Sequence, residues 1–168
     1  MSDKHLYVLA TFDGALTEQI KNIGSALDAQ GLTGQQTPGL PPHITLGQFP
    51  CTDEALLRQR LSDLIGITPK VALTFHALGL FGLRVLFLAP DPSYELLALR
   101  RTLCPGGGDW TPHATLLIAG AETIQRAIPV AAGFNSFEGL HGAVECLSLW
   151  EFFPARHIAD YRLSGGWA

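Results

Sequence analysis

The sequence predicts an α+β fold made of two related lobes, and three observations support this prediction. Segments with the apolar pattern of strands alternate with segments of helical period. The order strand, helix, loop, strand, helix, strand occurs twice, and a Pro-His-x-Thr-Leu strand follows the loop each time. Apolar residues make up 47% of the chain and charged residues 15%, which favours a sizeable core over disorder. We therefore expect one domain over residues 1–168, with two interleaved, pseudo-twofold-related antiparallel-sheet lobes, outer helices and a central cleft.

The chain begins with a predicted strand and a predicted helix. His5 to Phe12 has strand character, and Asp13-Gly14 supplies a turn. Leu16 to Gln30 carries apolar residues every three or four positions, which indicates a helix, and Gly31 is suited to end it.

The next segment predicts a loop, a strand and a second helix. Gly34 to Pro42 is rich in Gly, Gln and Pro, as loops are, and Ile44 to Gln48 follows as a strand. Thr52 or Asp53 can cap a helix that runs to Ile65. The predicted buried face of this helix consists of Leu56, Leu57, Leu61, Leu64 and Ile65.

The second half repeats this order after a hairpin. We expect two strands joined near Gly82, a helix opened by Asp91-Pro92-Ser93, a glycine-rich loop, a strand, a helix, and two or three further strands. The predicted bounds are Val71 to Leu80, Leu83 to Ala89, a helix to Leu103, a loop from Cys104 to Asp109, His113 to Ile118, Glu122 to Ala131, and strands between Phe134 and Leu163.

The candidate functional residues lie in the two copies of one pattern. Pro42-His43-Ile44-Thr45-Leu46 and Pro112-His113-Ala114-Thr115-Leu116 lie 70 positions apart. On a strand, residues i and i+2 project from the same face, about 7 Å apart. His43 and Thr45 therefore point together, as do His113 and Thr115. If the two lobes face each other, the four side chains converge in one groove.

Two imidazoles and two hydroxyls suit the chemistry of a phosphate ester. An imidazole with a pKa near 6.5 can accept or donate a proton at neutral pH. Opening a cyclic phosphodiester requires both actions at once, because a proton leaves the attacking water while another reaches the departing ribose oxygen. Threonine hydroxyls can donate hydrogen bonds to the non-bridging phosphate oxygens. We expect no metal and no cofactor in this scheme, since no carboxylate cluster has the spacing of metal ligands.

The segments Pro42-His43-Ile44-Thr45-Leu46-Gly47 and Trp110-Thr111-Pro112-His113-Ala114-Thr115-Leu116 resemble the two-histidine phosphoesterase superfamily, in particular its 2′-5′ RNA ligase-like and cyclic phosphodiesterase branches. The resemblance covers most of the chain. It implies a bilobal α+β fold and metal-independent action on 2′,3′-cyclic phosphates or 2′-5′ linkages, with His43 and His113 as the catalytic pair. Acid and base assignments differ within the family. Of the two, we expect His113 to activate water and His43 to protonate the leaving oxygen.

Two further residues are candidates for binding the substrate. Arg84 interrupts an apolar hairpin, so it is either a surface residue or a contact to phosphate or ribose. Trp110 precedes the second motif and can either stack on a base or anchor its loop. The Gly106-Gly107-Gly108 run lacks the Lys-Ser/Thr of a phosphate-binding loop, so a lid or a linker is the better interpretation. The remaining histidines, which lack a partner threonine, are interpreted as structural or surface residues: His5, His76, His141 and His157.

The composition limits the expected partners. The net charge of −4 disfavours tight binding to long nucleic acid but is compatible with a nucleotide cyclic phosphate or a short RNA end. The three cysteines, Cys51, Cys104 and Cys146, exclude a disulfide framework or a cysteine zinc site as the default. We expect a cytoplasmic monomer, because neither a signal-peptide pattern nor an apolar run long enough for a bilayer is present.

The function predicted from these residues is the opening of 2′,3′-cyclic phosphates, with reverse 2′-5′ RNA ligation by the same groups. Two alternatives remain open at this level. One is a nucleotide-binding module without turnover, and the other is an exonuclease that trims RNA 3′ ends with the same histidines.

Overall fold

The structure is a computed structural model that describes residues 4–134 and 138–165. Within these ranges the chain forms strands and helices in the predicted order, with one short 3₁₀ turn before the second helix. Their bounds are β1 (His5–Phe12), α1 (Gly14–Ala29), β2 (His43–Pro50), the 3₁₀ turn (Cys51–Asp53), α2 (Glu54–Ile65), β3 (Val71–Phe81), β4 (Val85–Pro90), α3 (Tyr94–Leu103), β5 (Ala114–Ile118), α4 (Ala121–Ala132), β6 (Leu140–Phe152) and β7 (Arg156–Arg162).

The predicted α+β class is confirmed, with antiparallel strands and four helices in the described part of the chain. The first strand has the predicted bounds, and the region after residue 134 supplies two long strands, β6 and β7. Asp13 caps α1 by accepting from the Leu16 N–H at 2.8 Å, and Ser93 caps α3 by accepting from the Leu96 N–H at 3.1 Å. Asp53 is the N-cap residue of α2, but its side chain makes no capping hydrogen bond, so the predicted cap by Thr52 or Asp53 is not formed.

The face of α2 differs from its prediction. Leu57, Leu61 and Leu64 are buried, but Leu56 is 51% exposed. Leu56 immediately precedes Leu57 and is rotated by about 100° from it around the helix axis, which turns Leu56 toward solvent. None of the helices in ranges 4–134 and 138–165 is long and apolar enough to cross a membrane.

All the strands belong to one antiparallel sheet with the order β2-β1-β6-β3-β4-β5, and β7 pairs with β6. The order is symmetric about the β6–β3 junction, with β1-α1-β2-α2 on one side and β4-α3-β5-α4 on the other. The two motif strands, β2 and β5, are therefore the two ends of the path. They nevertheless contact each other, which requires the sheet to curl.

Both motif strands have a bulge at the same place. Leu9 pairs with Thr45 while Val8 pairs with Gly47, so Leu46 is the extra residue of β2. Phe87 pairs with Thr115 while Leu86 pairs with Leu117, so Leu116 is the extra residue of β5. A bulge bends its strand and increases the local twist. The leucine that ends each copy of the pattern thus bends the strand just beyond the His/Thr pair.

The helices and one face of the sheet enclose the main core, and the motif side chains lie on the other face. Leu6, Val8 and Ala10 of β1 belong to that core. Leu9 lies on the opposite face of β1 and pairs with Thr45. It is only 1% exposed but does not belong to the core cluster. Phe87 is likewise buried outside that cluster and pairs with Thr115. Leu9 and Phe87 are therefore buried apolar neighbours of the two threonines across the strand pairs.

Candidate active site

His43 is the first residue of β2, and a backbone carbonyl orients its ring. The His43 Nδ1 lies 2.8 Å from the carbonyl oxygen of Pro41. A carbonyl oxygen can only accept a hydrogen bond, so Nδ1 carries the hydrogen and donates it. The other ring nitrogen, Nε2, is then the atom available to accept or donate a proton.

His113 immediately precedes β5, and its ring is held in the same way. Its Nδ1 lies 2.8 Å from the carbonyl oxygen of Thr111, again two residues earlier in the chain. The same argument assigns the hydrogen to Nδ1 and leaves Nε2 for proton transfer. The two copies of the pattern therefore share their local geometry as well as their residues.

The loops that precede the two motifs brace each other's strands. β2 and β5 are edge strands, so their outward backbone groups require partners. Ahead of His113, the Trp110 indole N–H donates to the Thr45 carbonyl at 3.0 Å. Ahead of His43, the Gln36 side-chain amide donates to the Leu116 carbonyl at 3.2 Å. Each motif is thus tied to the strand of the other.

These contacts bring the two half-sites, His43/Thr45 and His113/Thr115, to one junction. A cavity of about 200 Å³ is lined by His43 together with Thr115. Loop residues between 36 and 42 and the Lys21 region of α1 complete its walls. His43 and Thr115 thus border one open space, whereas Thr45 and His113 do not line it.

His43 has a perturbed acidity in this junction. Burial lowers the pKa of His43, the hydrogen bond to the Pro41 carbonyl acts in the opposite direction, and the nearby charge of His113 lowers the pKa further. The net direction is downward from the ordinary value. His43 is therefore in its neutral, proton-accepting form over a wider pH range than an ordinary histidine.

Two phenylalanines surround His113, and the sequence analysis did not single them out. The Phe81 ring lies edge-on to the His113 ring at 4.8 Å between centroids, and the Phe87 ring lies at 5.3 Å. Phe87 pairs with Thr115 across the β4–β5 ladder. The available signal was strand alternation, which aims Phe87 and Thr115 toward the same face once the register is known. That register was not readable from the sequence.

Trp110 lies at the junction, and its contacts indicate a bracing role. Its indole N–H donates a hydrogen bond to the Thr45 carbonyl, and the Arg100 guanidinium lies 5.5 Å from its ring centroid. Arg100 also donates to the Leu46 carbonyl at 2.7 Å. Anchoring of the loop, one of the two interpretations of Trp110, fits these contacts. Stacking of Trp110 on a base stays a prediction.

Arg84 is exposed in the turn between β3 and β4, away from the histidines. Its carbonyl accepts from the Ala119 N–H at 3.0 Å, just beyond the end of β5. His113 precedes the other end of β5, and the five steps from 113 to 118 correspond to about 16 Å along a strand. A role for Arg84 in binding phosphate remains a prediction, and this separation argues against it.

Two of the histidines outside the motifs pair with aspartates. His76 contacts Asp91 at 2.7 Å, and His157 contacts Asp160 at 3.0 Å. In the described part of the chain, no group of three or more His, Cys, Asp or Glu residues is arranged to hold a metal ion.

Comparison with known families agrees with this geometry. A model of the 2′-5′ RNA ligase superfamily matches residues 14–152. The chain belongs to this superfamily. No curated protein gives a significant match to the chain.

Solved structures support the same fold for this member of the 2′-5′ RNA ligase superfamily. The apo form of E. coli LigT has a TM-score of 0.66 at 17% identity, covering 96% of this chain and 98% of that one. The protein TT0787 of Thermus thermophilus has a TM-score of 0.66 at 15% identity, with coverage of 96% and 98%. A protein described as a phosphoesterase has a TM-score of 0.65 at 18% identity, with coverage of 96% and 99%. At these identities the likeness establishes the fold.

Proposed function

We propose that this member of the 2′-5′ RNA ligase superfamily is a metal-independent phosphoesterase that opens 2′,3′-cyclic phosphates of nucleotides or RNA ends. The observation that carries the proposal is the matched orientation of His43 and His113, each held through Nδ1 at 2.8 Å with Nε2 left for proton transfer. E. coli LigT has been solved in complexes with 3′-AMP, ATP and phosphate. Those ligands support a nucleotide as the substrate class here.

The reaction requires one proton acceptor and one proton donor. Water attacks phosphorus while one imidazole Nε2 takes a proton from it. The bond from phosphorus to one ribose oxygen breaks, and the other imidazole gives that oxygen a proton. Thr45 and Thr115 donate hydrogen bonds to the non-bridging oxygens and hold the phosphorus in line. The product is an acyclic phosphate monoester, and the site has gained a proton at one imidazole and lost one at the other.

The acidity of His43 favours one assignment of these roles. Burial and the charge of His113 lower the pKa of His43, so His43 is neutral in the free enzyme at physiological pH. A neutral imidazole is a base, so in this proposal His43 activates the nucleophile and His113 protonates the leaving oxygen. This is the reverse of the assignment expected from the sequence. The sequence carries no information on which histidine is the more buried.

The same groups support ligation. When the 5′-hydroxyl of an RNA replaces water, the base takes its proton and a 2′-5′ linkage forms as the 3′ oxygen leaves. Water and the 5′-hydroxyl compete for one position, so the occupancy of that position decides between hydrolysis and ligation.

The proposal is tested by an activity panel on the purified protein. Nucleoside 2′,3′-cyclic phosphates, ADP-ribose cyclic phosphate, 2′-5′ oligonucleotides and linear RNA are incubated with the wild type and with His43→Ala and His113→Ala. We expect ring opening by the wild type, undiminished by chelator, and losses of about 10²–10⁴-fold in each variant. Full activity in either folded variant contradicts the proposal, and a large loss with chelator contradicts its metal independence.

Two other results of the panel identify the alternatives. Shortening of linear RNA without ring opening identifies a 3′-end exonuclease. Tight mononucleotide binding by calorimetry, together with no product from any substrate, identifies a binding module without turnover.

A further inference from the structure

A second cavity lies on the motif-bearing face of the sheet, next to His43. Its volume is about 380 Å³, within the range of about 300–1,000 Å³ that is typical of small-ligand sites. We call it the β6–β7 cavity. The lining residues that matter for the argument are Thr11, Ser148, Trp150, His157, Asp160 and Arg162.

The strand register places this cavity beside the proposed catalytic centre. Thr11 of β1 pairs with His43 on one side and with Cys146 of β6 on the other, and Cys146 pairs with Arg162 of β7. Neighbouring strands are about 4.8 Å apart. The cavity therefore begins about 5 Å from His43 and extends to about 14 Å across the sheet. Pro41, which orients the His43 ring, also lines it.

A hydrogen-bond network lines the cavity around Asp160, whose side chain is 57% exposed, and His157, whose side chain is 44% exposed. Ser148 is only 3% exposed and donates to Asp160 Oδ1 at 2.6 Å, while the Trp150 indole N–H donates to the Ser148 hydroxyl at 2.8 Å. His157 Nε2 lies 3.0 Å from the same Oδ1. The second carboxylate oxygen of Asp160, Oδ2, accepts no hydrogen bond from residues in ranges 4–134 and 138–165. Asp160, which lines the cavity, thus keeps one carboxylate oxygen for a ligand.

The order of this network excludes a second nucleophilic centre. In a nucleophilic triad the histidine lies between the serine and the acid, because it must take the serine proton. Here Asp160 lies between Ser148 and His157. The serine hydroxyl donates to a carboxylate and receives from an indole, so the network positions Asp160 and Trp150.

The charges of the cavity are mutually compensated. Arg162 lies 3.7 Å from Glu145, and Lys70 contacts the same carboxylate at 2.7 Å. His157 is paired with Asp160. Although burial raises the pKa of Asp160, hydrogen bonds from Ser148 and His157 make the net shift downward, so its carboxylate is an acceptor at neutral pH. The cavity offers an acceptor and an aromatic ring, without a surplus cation for a second phosphate.

We propose that the β6–β7 cavity is a nucleoside subsite. The 5′-hydroxyl, which is the one ribose hydroxyl that a nucleoside 2′,3′-cyclic phosphate leaves free, donates to Asp160 Oδ2. The base packs against the Trp150 ring, which also contacts His157 at 5.1 Å and Phe152 at 6.2 Å between centroids. The phosphorus attached to that nucleoside then lies at the His43/His113 junction. This inference rests on the proposed function and adds the part of the substrate beyond the phosphate.

The test compares two substrates and three variants of the whole protein. The substrates are a nucleoside 2′,3′-cyclic phosphate and ethanediol cyclic phosphate, which lacks both base and free hydroxyls. Asp160→Asn keeps an oxygen that accepts from Ser148 but replaces the other carboxylate oxygen, Oδ2, by an N–H donor. Trp150→Leu removes the aromatic ring. Asp91→Asn is the matched control, because Asp91 is also bonded to a histidine but lies outside the cavity.

We expect Asp160→Asn and Trp150→Leu to raise KM for the nucleoside substrate about tenfold, with a smaller effect on kcat. Their kcat/KM for ethanediol cyclic phosphate remains that of the wild type, and Asp91→Asn leaves both substrates unchanged. An unchanged KM for the nucleoside substrate overturns the inference. Equal losses on both substrates also overturn it, since they indicate a structural role.

A binding measurement separates failure of this inference from failure of the proposed function. Adenosine and uridine are titrated into the wild type while the indole N–H resonances are followed by NMR, with Trp150→Leu assigning the Trp150 signal. A shift of that signal supports the subsite even if neither cyclic phosphate is hydrolysed. Absence of any shift at millimolar nucleoside overturns the subsite even if cyclic phosphates are opened.

Discussion

The two half-sites have the same local geometry and different surroundings. In both, histidine Nδ1 lies 2.8 Å from the carbonyl two residues earlier, and a leucine bulge follows the threonine. His43 is buried enough for its pKa to be lowered and adjoins a polar cavity, whereas His113 packs against Phe81 and Phe87. A repeated pattern can therefore supply two unlike groups, because acidity depends on the surroundings of a ring and not on its local backbone.

The largest difference between the half-sites is expected when the leaving group of the substrate no longer needs a proton donor. If His113 is the acid, His113→Ala loses about 10²–10⁴-fold on a nucleoside cyclic phosphate. It should recover most of that loss on a p-nitrophenyl phosphodiester of the nucleoside, because nitrophenolate leaves without protonation. His43→Ala should be impaired on both substrates. Recovery in His43→Ala instead of His113→Ala, measured as kcat on each substrate, would reverse our assignment.

A smaller effect is expected when the two hydrogen bonds that join each loop to the other motif strand are removed. Trp110→Phe keeps the ring but removes the N–H that reaches Thr45, and Gln36→Leu removes the amide that reaches Leu116. Each change displaces one half-site relative to the other, so we expect kcat to fall about tenfold with little change in KM. Thermal unfolding measured alongside separates displacement from instability. Unchanged kcat in both folded variants would show that the braces do not set the geometry.

A third prediction concerns the coupling of the two rings. The charge of His113 contributes to the lowered pKa of His43, so His113→Gln should raise the pKa of His43 toward its ordinary value. Burial remains in that variant, so the pKa stays below the ordinary one. NMR titration of the His43 ring protons measures the change. An unchanged or lower pKa of His43 in this variant would mean that the charge of His113 does not lower it.

The smallest effect is expected in the dependence of stability on pH. His43 has a lower pKa when folded than its unfolded value of about 6.5, so the unfolded state binds more protons below that pH. The contribution of neutral His43 to the free energy of unfolding is fully present above about pH 6.5 and declines as the pH falls through the folded-state pKa. The free energy of unfolding of His43→Gln, measured with denaturant, should therefore decline less steeply below that pH than the free energy of unfolding of the wild type. An identical decline contradicts the burial argument.

Much of the fold was predictable from short-range patterns. The bounds of His5–Phe12, the period of α1 and the start of α3 after Asp91-Pro92-Ser93 each depend on neighbours within a few residues, and the structure confirms them. The shared face of His43 and Thr45 follows from the two-residue period of a strand. The burial of Leu56 was predicted wrongly, since its rotation from Leu57 around the helix axis turns it toward solvent.

The residues around the motifs were not predictable in this way. Phe81 reaches His113 only because β3, β4 and β5 pair in one register. Trp110 contacts a residue 65 positions away, and Gln36 contacts one 80 positions away. No local pattern encodes such pairings, because they depend on how every intervening strand joins the sheet.

The sequence alone determined the order of the elements and the two His/Thr pairs, because both depend on residues close together in the chain. Only the folded sheet established that its two end strands meet, that each motif braces the other, and that burial lowers the pKa of His43. Curvature accumulates from the twist of each strand and its bulges, so the meeting of β2 and β5 is a property of the whole sheet.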